Sequence, residues 1–363
     1  MNGTAAPRAE APRPHGTVLT AGRRRVAVGS DRLNIVLGVR PLVVALLGAA
    51  VIVAGTVTAL ALGDFPLTAR EVLGVFTGRT DGFARTVVLE WRLPRAAGAV
   101  LFGAALAVAG AVFQAVTRNP LASPDIVGLA NGSFTGMLVA LLMLGGSWPL
   151  LTAGSLIGGL LAALAVYLLA YRDGLQGFRF IVVGIGVSAM LASVNTWMLL
   201  RVDVDTALFA SAWGAGTLNS VTTTTVIPAG VCVLLLLACL PVLTPALRQM
   251  DLGDDAARAT GVRVRRARPL AVAVGVALVS VVTAVTGPIA FIALAAPQIA
   301  RRLAGTPGIP FGVTGVVGGA LLLGADLVAQ HVIPLTVPVG VVTIVLGGGY
   351  LVWLLINQAG KRP

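Results

Sequence analysis

Ten apolar stretches, separated by short polar or charged intervals, occupy residues 41–357 of this chain. They run near Pro41–Gly63, Pro94–Val116, Ile126–Gly145, Pro149–Ala170, Phe180–Leu200, Val226–Leu247, Pro269–Thr286, Pro288–Leu303, Pro310–Gln330 and Pro338–Ile356. Each meets or approaches the roughly 20 apolar residues an α-helix needs to cross a hydrocarbon core about 30 Å thick. The pattern predicts an all-α integral membrane protein of about ten transmembrane helices.

Three segments follow. Residues 1–40 form an Arg-rich tail expected to be disordered and cytoplasmic, residues 41–357 the ten-helix membrane domain, and residues 358–363 a short cytoplasmic tail. The first stretch is too long for a signal-peptide core and predicts a retained anchor. Composition agrees: 57% of residues are hydrophobic and 11% charged, where soluble domains carry about 25% charged residues.

The net charge of +12 raises the question of nucleic acid, which the position of the charge answers. With the amino terminus in the cytoplasm and ten spans threaded, 20 of the 26 basic residues fall inside. Six (Arg70, Arg79, Arg85, Arg92, Arg95 and Arg201) fall outside, beside six acids. That asymmetry is the positive-inside pattern. The charge therefore reports orientation, both termini are expected in the cytoplasm, and no nucleic-acid partner is expected.

Glycines recur at four-residue spacing within spans, at Gly132 and Gly136, Gly154 and Gly158, and Gly315 and Gly319. Small residues let helices approach closely in lipid, so these predict packing seams. Catalytic chemistry is sparse. No Gly-rich loop ends in Lys-Ser/Thr, and Lys361 is the sole lysine. His15 and His331 are too few and too distant for a metal cage, and Cys232 and Cys239, seven apart on one helix, read as packing residues. No catalytic residue, metal site or cofactor is expected on this chain. Asp326 is the single acid well inside a span; a structural capping role and a functional one both remain open for it. So few intramembrane acids argue against an ion-coupled carrier.

Two features face water. Asp251-Leu-Gly-Asp-Asp-Ala-Ala-Arg-Ala-Thr-Gly261 places Asp254 and Asp255 where a helix amino terminus favours acids, and Gly261 where the helix would stop. It predicts a short cytoplasmic helix, either a docking knob for a cytosolic partner or a solvated loop. Trp91-Arg92-Leu93-Pro94-Arg95 lies at the outer mouth of the second span. Two arginines beside a helix-starting proline suit carboxylates on an outside partner, and interfacial anchoring accounts for them equally.

These residues, with Gly103-Ala-Ala-Leu-Ala-Val-Ala-Gly110 through Gln114, Thr117-Arg-Asn-Pro-Leu-Ala-Ser-Pro-Asp125-Ile-Val-Gly128, Gly287-Pro-Ile-Ala-Phe291, Ala296-Pro-Gln-Ile-Ala-Arg301, Ala325-Asp326 and Pro338-Val-Gly-Val-Val-Thr343, resemble the FecCD-type permeases of iron-siderophore and vitamin B12 ABC importers. The resemblance spans residues 90–350 in the family order. It implies a type II ABC importer permease architecture in which this chain dimerises around a pathway. Two cytosolic ABC ATPase subunits, which carry the ATP and Mg, would drive it, and an extracytoplasmic substrate-binding lipoprotein would feed it. It also implies an ATPase-coupling role for Leu252, Gly253, Asp254, Asp255, Ala256, Arg258 and Gly261, and binding-protein docking at Arg92 and Arg95.

Gln298, Val183-Gly-Ile-Gly-Val-Ser-Ala-Met190 and Gly347-Gly-Gly-Tyr350 resemble the ferric enterobactin branch, which works as a heterodimer; that favours a catecholate-type ferric siderophore and leaves a hydroxamate, haem or a cobalamin open as cargo. The chain departs from many members at Thr336, Gln330 and Gly349. Gln330 stands where an outer Arg contact is usual, with His331 a partial substitute. Ser188, Ser193, Asn195 and Thr196 are pathway candidates. Asn119 and Leu121 are candidates for an inner gate, with loop capping by Asn119 an equal alternative. Ala115-Val-Thr-Arg-Asn-Pro-Leu-Ala is similar to Ala284-Val-Thr-Gly-Pro-Ile-Ala, which suggests an inverted repeat. A thiol probe on Asp255→Cys is expected to react from the cytoplasmic side alone; reaction from outside contradicts the topology.

Overall fold

The computed structural model describes residues 16–20, 23–30, 33–145, 147–170, 177–335 and 337–359. Calls on residue 336, on residues 1–15 of the amino-terminal tail and on residues 360–363 of the carboxy-terminal one lie outside them. In the segment expected to be disordered, β1 (Gly16–Thr20), β2 (Arg23–Ser30) and β3 (Leu33–Gly38) form an antiparallel meander, with Val26 opposite both Thr17 and Leu37. β-branched residues in these runs favour extended backbone. All other regular elements among the described residues are helical.

The helices are α1 (Val39–Ala61), α2 (Ala69–Phe76), α3 (Phe83–Thr86), a π-helical turn Val87–Arg92, and α4 (Leu93–Thr117). A 3-10 turn Pro124–Val127 leads to α5 (Leu129–Met143), α6 (Trp148–Ala170), α7 (Gly177–Leu199) and α8 (Val204–Gly214). α9 (Thr223–Ala238), α10 (Leu240–Met250), α11 (Asp254–Ala259) and α12 (Val264–Thr286) come next. α13 (Ile292–Ala304), α14 (Phe311–His331) and α15 (Val339–Ala359) complete the chain.

All ten predicted segments are helical. Length divides them: among the described residues six helices are long and apolar enough to cross a membrane, and α9 with α10, bent by 48°, make a seventh if they form one span. Pro241 lies in the first turn of α10, where its missing N–H cannot continue the ladder of α9. α13 has 13 residues, about 20 Å of helix, too short for a 30 Å core alone.

α4 is the axis of the bundle, with α12, α13 and α14 packed round it. Phe102, Leu106 and Phe113 of α4 have at most 1% of their surface exposed. Its alanines and glycines bring neighbouring backbones close: a Cβ on Gly110 would collide with the Ala293 carbonyl. α1 is peripheral, with Leu46 and Leu47 62% exposed, as expected of a lipid-facing helix.

The predicted seam at Gly132, Gly136, Gly154 and Gly158 joins α5 to α6. A Cβ at Gly136 would strike the Gly154 carbonyl, and one at Gly158 the Gly132 carbonyl. Gly319 lies against Val100 of α4. Cys232 and Cys239, read as packing residues, are exposed on the chain's surface. Gly136→Leu is expected to destabilise the detergent-solubilised protein by about 2 kcal/mol or more through overpacking, read as a lower melting temperature. Gly186→Leu is the control, since no atom lies within 4 Å of a Cβ there.

Candidate functional site

The element expected to face the cytoplasm begins where α10 ends. Gly253, φ 117°, turns the backbone so that Asp254 and Asp255 enter the first turn of α11, where the exposed N–H groups favour negative charge. The helix closes on a Schellman motif: Gly261 N–H donates to Arg258 O at 3.0 Å and Val262 N–H to Ala257 O at 2.9 Å. Gly261 takes φ +87°, the left-handed conformation expected of it. The short helix predicted from sequence is therefore present. Ala257 is fully buried against Met250 and Val264, while Leu252 is 80% exposed, and Asp255, Ala256, Arg258 and Gly261 also face outward. Asp255 pairs with Arg258 at 2.8 Å in water, a contact worth little by itself.

Asp254 differs. Its Oδ1 accepts from Arg268 of α12 at 2.6 Å and from Arg118, just beyond α4, at 2.9 Å. Burial pushes its carboxyl up, but the hydrogen bond and charge of Arg268, with Arg118 and Arg258, outweigh this and hold it below its ordinary value. Asp251 is shifted the other way, upward, by burial against the opposing charges of Arg301 and Arg118.

Arg118 itself has φ 53° and ψ 31°, a left-handed conformation that costs a side-chain-bearing residue about 1 kcal/mol or more. It starts the loop that carries the gate candidates. Asn119 Oδ1 accepts the Leu121 N–H at 2.9 Å, so Asn119 does cap its own loop, while Leu121 is 47% exposed. Gln298 of α13 donates to Pro120 O at 3.2 Å and to Gln114 Oε1 at 2.6 Å, and Gln114 Nε2 donates to Leu294 O at 3.1 Å. The glutamine that marks the branch resemblance is thus part of an amide chain binding α4, the loop and α13.

The pathway candidates separate. Ser188 Oγ accepts from Asn131 at 2.8 Å; Asn195, 3% exposed, donates to Asn131 O at 3.1 Å and accepts from Thr135 at 2.6 Å. These two sit in a polar seam between α5 and α7 within the chain, because an amide among apolar helices must find partners. Thr196 and Ser193 lie on the exposed face of α7, each bonding its own helix four residues back at 3.0 Å. Asn131 and Thr135 were not anticipated; their i, i+4 spacing in an apolar stretch was the available signal.

At the other end of α4, Arg95 meets Asp326 of α14. Arg95 Nη2 lies 2.8 Å from Oδ1 and Nε 3.0 Å from Oδ2, and Gln330 donates to Oδ2 at 2.6 Å. Asp326 is 2% exposed at its side chain and Arg95 21%. Arg92 donates to Leu60 O and Phe65 O, both at 2.8 Å, and so closes the end of α1. Both arginines expected to serve an outside partner are engaged within the chain. Asp326 ties α14 to α4 through Arg95, and Gln330, standing where an outer arginine is usual, is its second donor.

The chain matches the FecCD transport family model over residues 46–357. It is 44% identical over 318 residues to the ferric enterobactin transport system permease protein FepG of Escherichia coli, covering 87% of this chain and 96% of that one. It is 33% identical over 330 residues to the iron(3+)-hydroxamate import system permease protein FhuG of Bacillus subtilis, covering 88% and 98%. A solved structure of an inward-facing, metal-chelate type ABC transporter has the same fold, with a TM-score of 0.78 at 24% identity over 87% of this chain and 99% of that one. This chain belongs to the FecCD transport family and is a multi-pass membrane transport component.

Two measurements follow. Asp326→Ala is expected to cost about 1–3 kcal/mol, since it leaves a part-buried guanidinium without its carboxylate, and the double replacement Arg95→Met with Asp326→Leu to recover most of that. A carboxyl with a depressed folded value contributes stability that is complete above its unfolded value and lost as pH falls through the folded one. The Asp254 fastening is therefore expected to be intact at neutral pH and to weaken below about pH 4, read as faster amide exchange in α11.

Proposed function

We propose that this chain is the permease subunit of an ATP-driven importer that carries a ferric siderophore, of catecholate type, across the bacterial cytoplasmic membrane. The observation that carries the reading is the 44% identity to FepG across nearly the full length of both chains. In this reading the chain pairs with a related second permease subunit as a heterodimer, and both termini face the cytoplasm. Two ATPase subunits, holding ATP and Mg, seat the exposed surface of α11 and its flanks: Leu252, Gly253, Asp254, Asp255, Ala256, Arg258 and Gly261. A lipoprotein that binds the substrate docks on the outer mouth.

The fixed geometry of Arg92 and Arg95 suits that docking. Each guanidinium is anchored by intramolecular bonds while staying only half-buried, so it meets a partner carboxylate with little further loss of freedom. Thr196, on the exposed face of α7, is the pathway candidate best placed to meet a cargo between two subunits; Ser188 and Asn195 shape the wall behind it. Asn119 and Leu121 form the inner gate. No step in this cycle needs a reactive side chain: movement of packed elements as bodies suffices.

The test is reconstitution in vesicles with the second permease, the ATPase pair and the binding protein. Uptake of iron-labelled ferric enterobactin is expected with ATP inside and not with a proton or sodium gradient alone. Uptake by this chain unaided, driven by an ion gradient, overturns the proposal in favour of a secondary carrier.

A further inference from the structure

Left-handed residues follow three helices, α4, α11 and α13, on the side read as cytoplasmic. After α11 and α13 the residue is glycine, Gly261 and Gly305. After α4 it is Arg118. Glycine would relieve that backbone, so the position uses its side chain. The guanidinium reaches α11 and shares Asp254 Oδ1 with Arg268 of α12.

Two residues further on, Gln298 of α13 holds the Pro120 carbonyl. The gate loop is thus gripped from two sides, by α11 through Arg118 and by α13 through Gln298. Between the grips lies a cavity of about 220 Å³ lined by Gln114, Arg118, Pro120, Asp251, Gln298 and Arg301. It gives the loop room to shift without displacing packed helices. Asp254 is anchored to the head of α12 as well, so α11 bears on Arg118 from a fixed base.

We propose that Arg118 is the positioning residue through which displacement of α11 moves the loop carrying Asn119 and Leu121. The link rests on the reading of α11 as the ATPase-coupling element. Arg268 holds α11 to its own neighbouring helix, whereas Arg118 is the ion pair that joins it to α4, 136 residues away in sequence. The amide chain on the opposite side restrains the loop against α13, so a pull at Arg118 opens or closes the mouth instead of translating it whole.

Arg118→Gly tests this without endangering the fold, since it suits the left-handed turn and removes only the side chain. The complete importer is reconstituted in vesicles with ferric enterobactin as the probe. Arg118→Gly is expected to melt no lower than the parent, to retain the ATPase and to hydrolyse ATP, while transport per ATP falls tenfold or more. Arg118→Lys restores most of it. A spin label on Leu121→Cys, in a background lacking Cys232 and Cys239, shifts with ATP in the parent and in Arg118→Lys but not in Arg118→Gly.

Parental transport per ATP in Arg118→Gly overturns the proposal. So does loss of the ATPase from that variant, which would make Arg118 part of the docking surface and leave the reading of α11 standing. That reading fails separately if Leu252→Asp keeps the ATPase bound and fully coupled, and the proposal then falls with it.

Discussion

Lipid offers no hydrogen bonds, and that refusal governs where every polar group in this bundle goes. α4 shows the consequence most fully. It runs through the centre of the molecule, and its polar side chains are consumed by neighbours: Arg95 by Asp326, Gln114 by Leu294 and Gln298, Thr117 by the Phe113 carbonyl. The rest of the helix is apolar, mostly alanine, glycine, valine, leucine and phenylalanine. Close backbone approach then replaces the hydrophobic effect as the source of cohesion, since apolar side chains gain little by leaving lipid for protein. One helix thereby fixes α14 at its Arg95 end and α13 and the loop at its Gln114 end.

Much of this was legible in the sequence because membrane insertion imposes a coarse code. The ten apolar stretches all became helices, the glycines at four-residue spacing in α5 and α6 became a seam, and Asp254 through Gly261 became a capped helix. Side-chain partners were not legible, because they join positions far apart in the chain. Arg95 and Asp326 are separated by 231 residues, and nothing local to either announces the other. The same holds for Gln114 and Gln298. Local reading could not show that Arg95 also has a partner within the molecule, because that partner lies in another span. The break between α12 and α13 at Gly287-Pro288 was legible; that the chain stays irregular through the left-handed Phe291, leaving α13 only 13 residues, was not.

The two halves show a related construction. A long buried helix, α4 or α12, ends in a left-handed residue, Arg118 or Gly287, and a short helix follows after a brief irregular stretch. At the first break the irregular stretch is fastened by ionic and amide bonds. At the second, Phe291 is wedged against Gly347 of α15. Polar fastenings exchange partners readily and tight packing does not, so the first break is the softer of the two.

The glycine seam between α5 and α6 carries one more consequence. With backbone set directly on backbone there is no layer of side chains to re-sort, so the two helices have no alternative register within reach. They form a stiff plank. A change of shape that involves these two helices is taken up at the plank's margins, one of which is the amide-rich border with α7, where Asn131 and Thr135 meet Ser188 and Asn195.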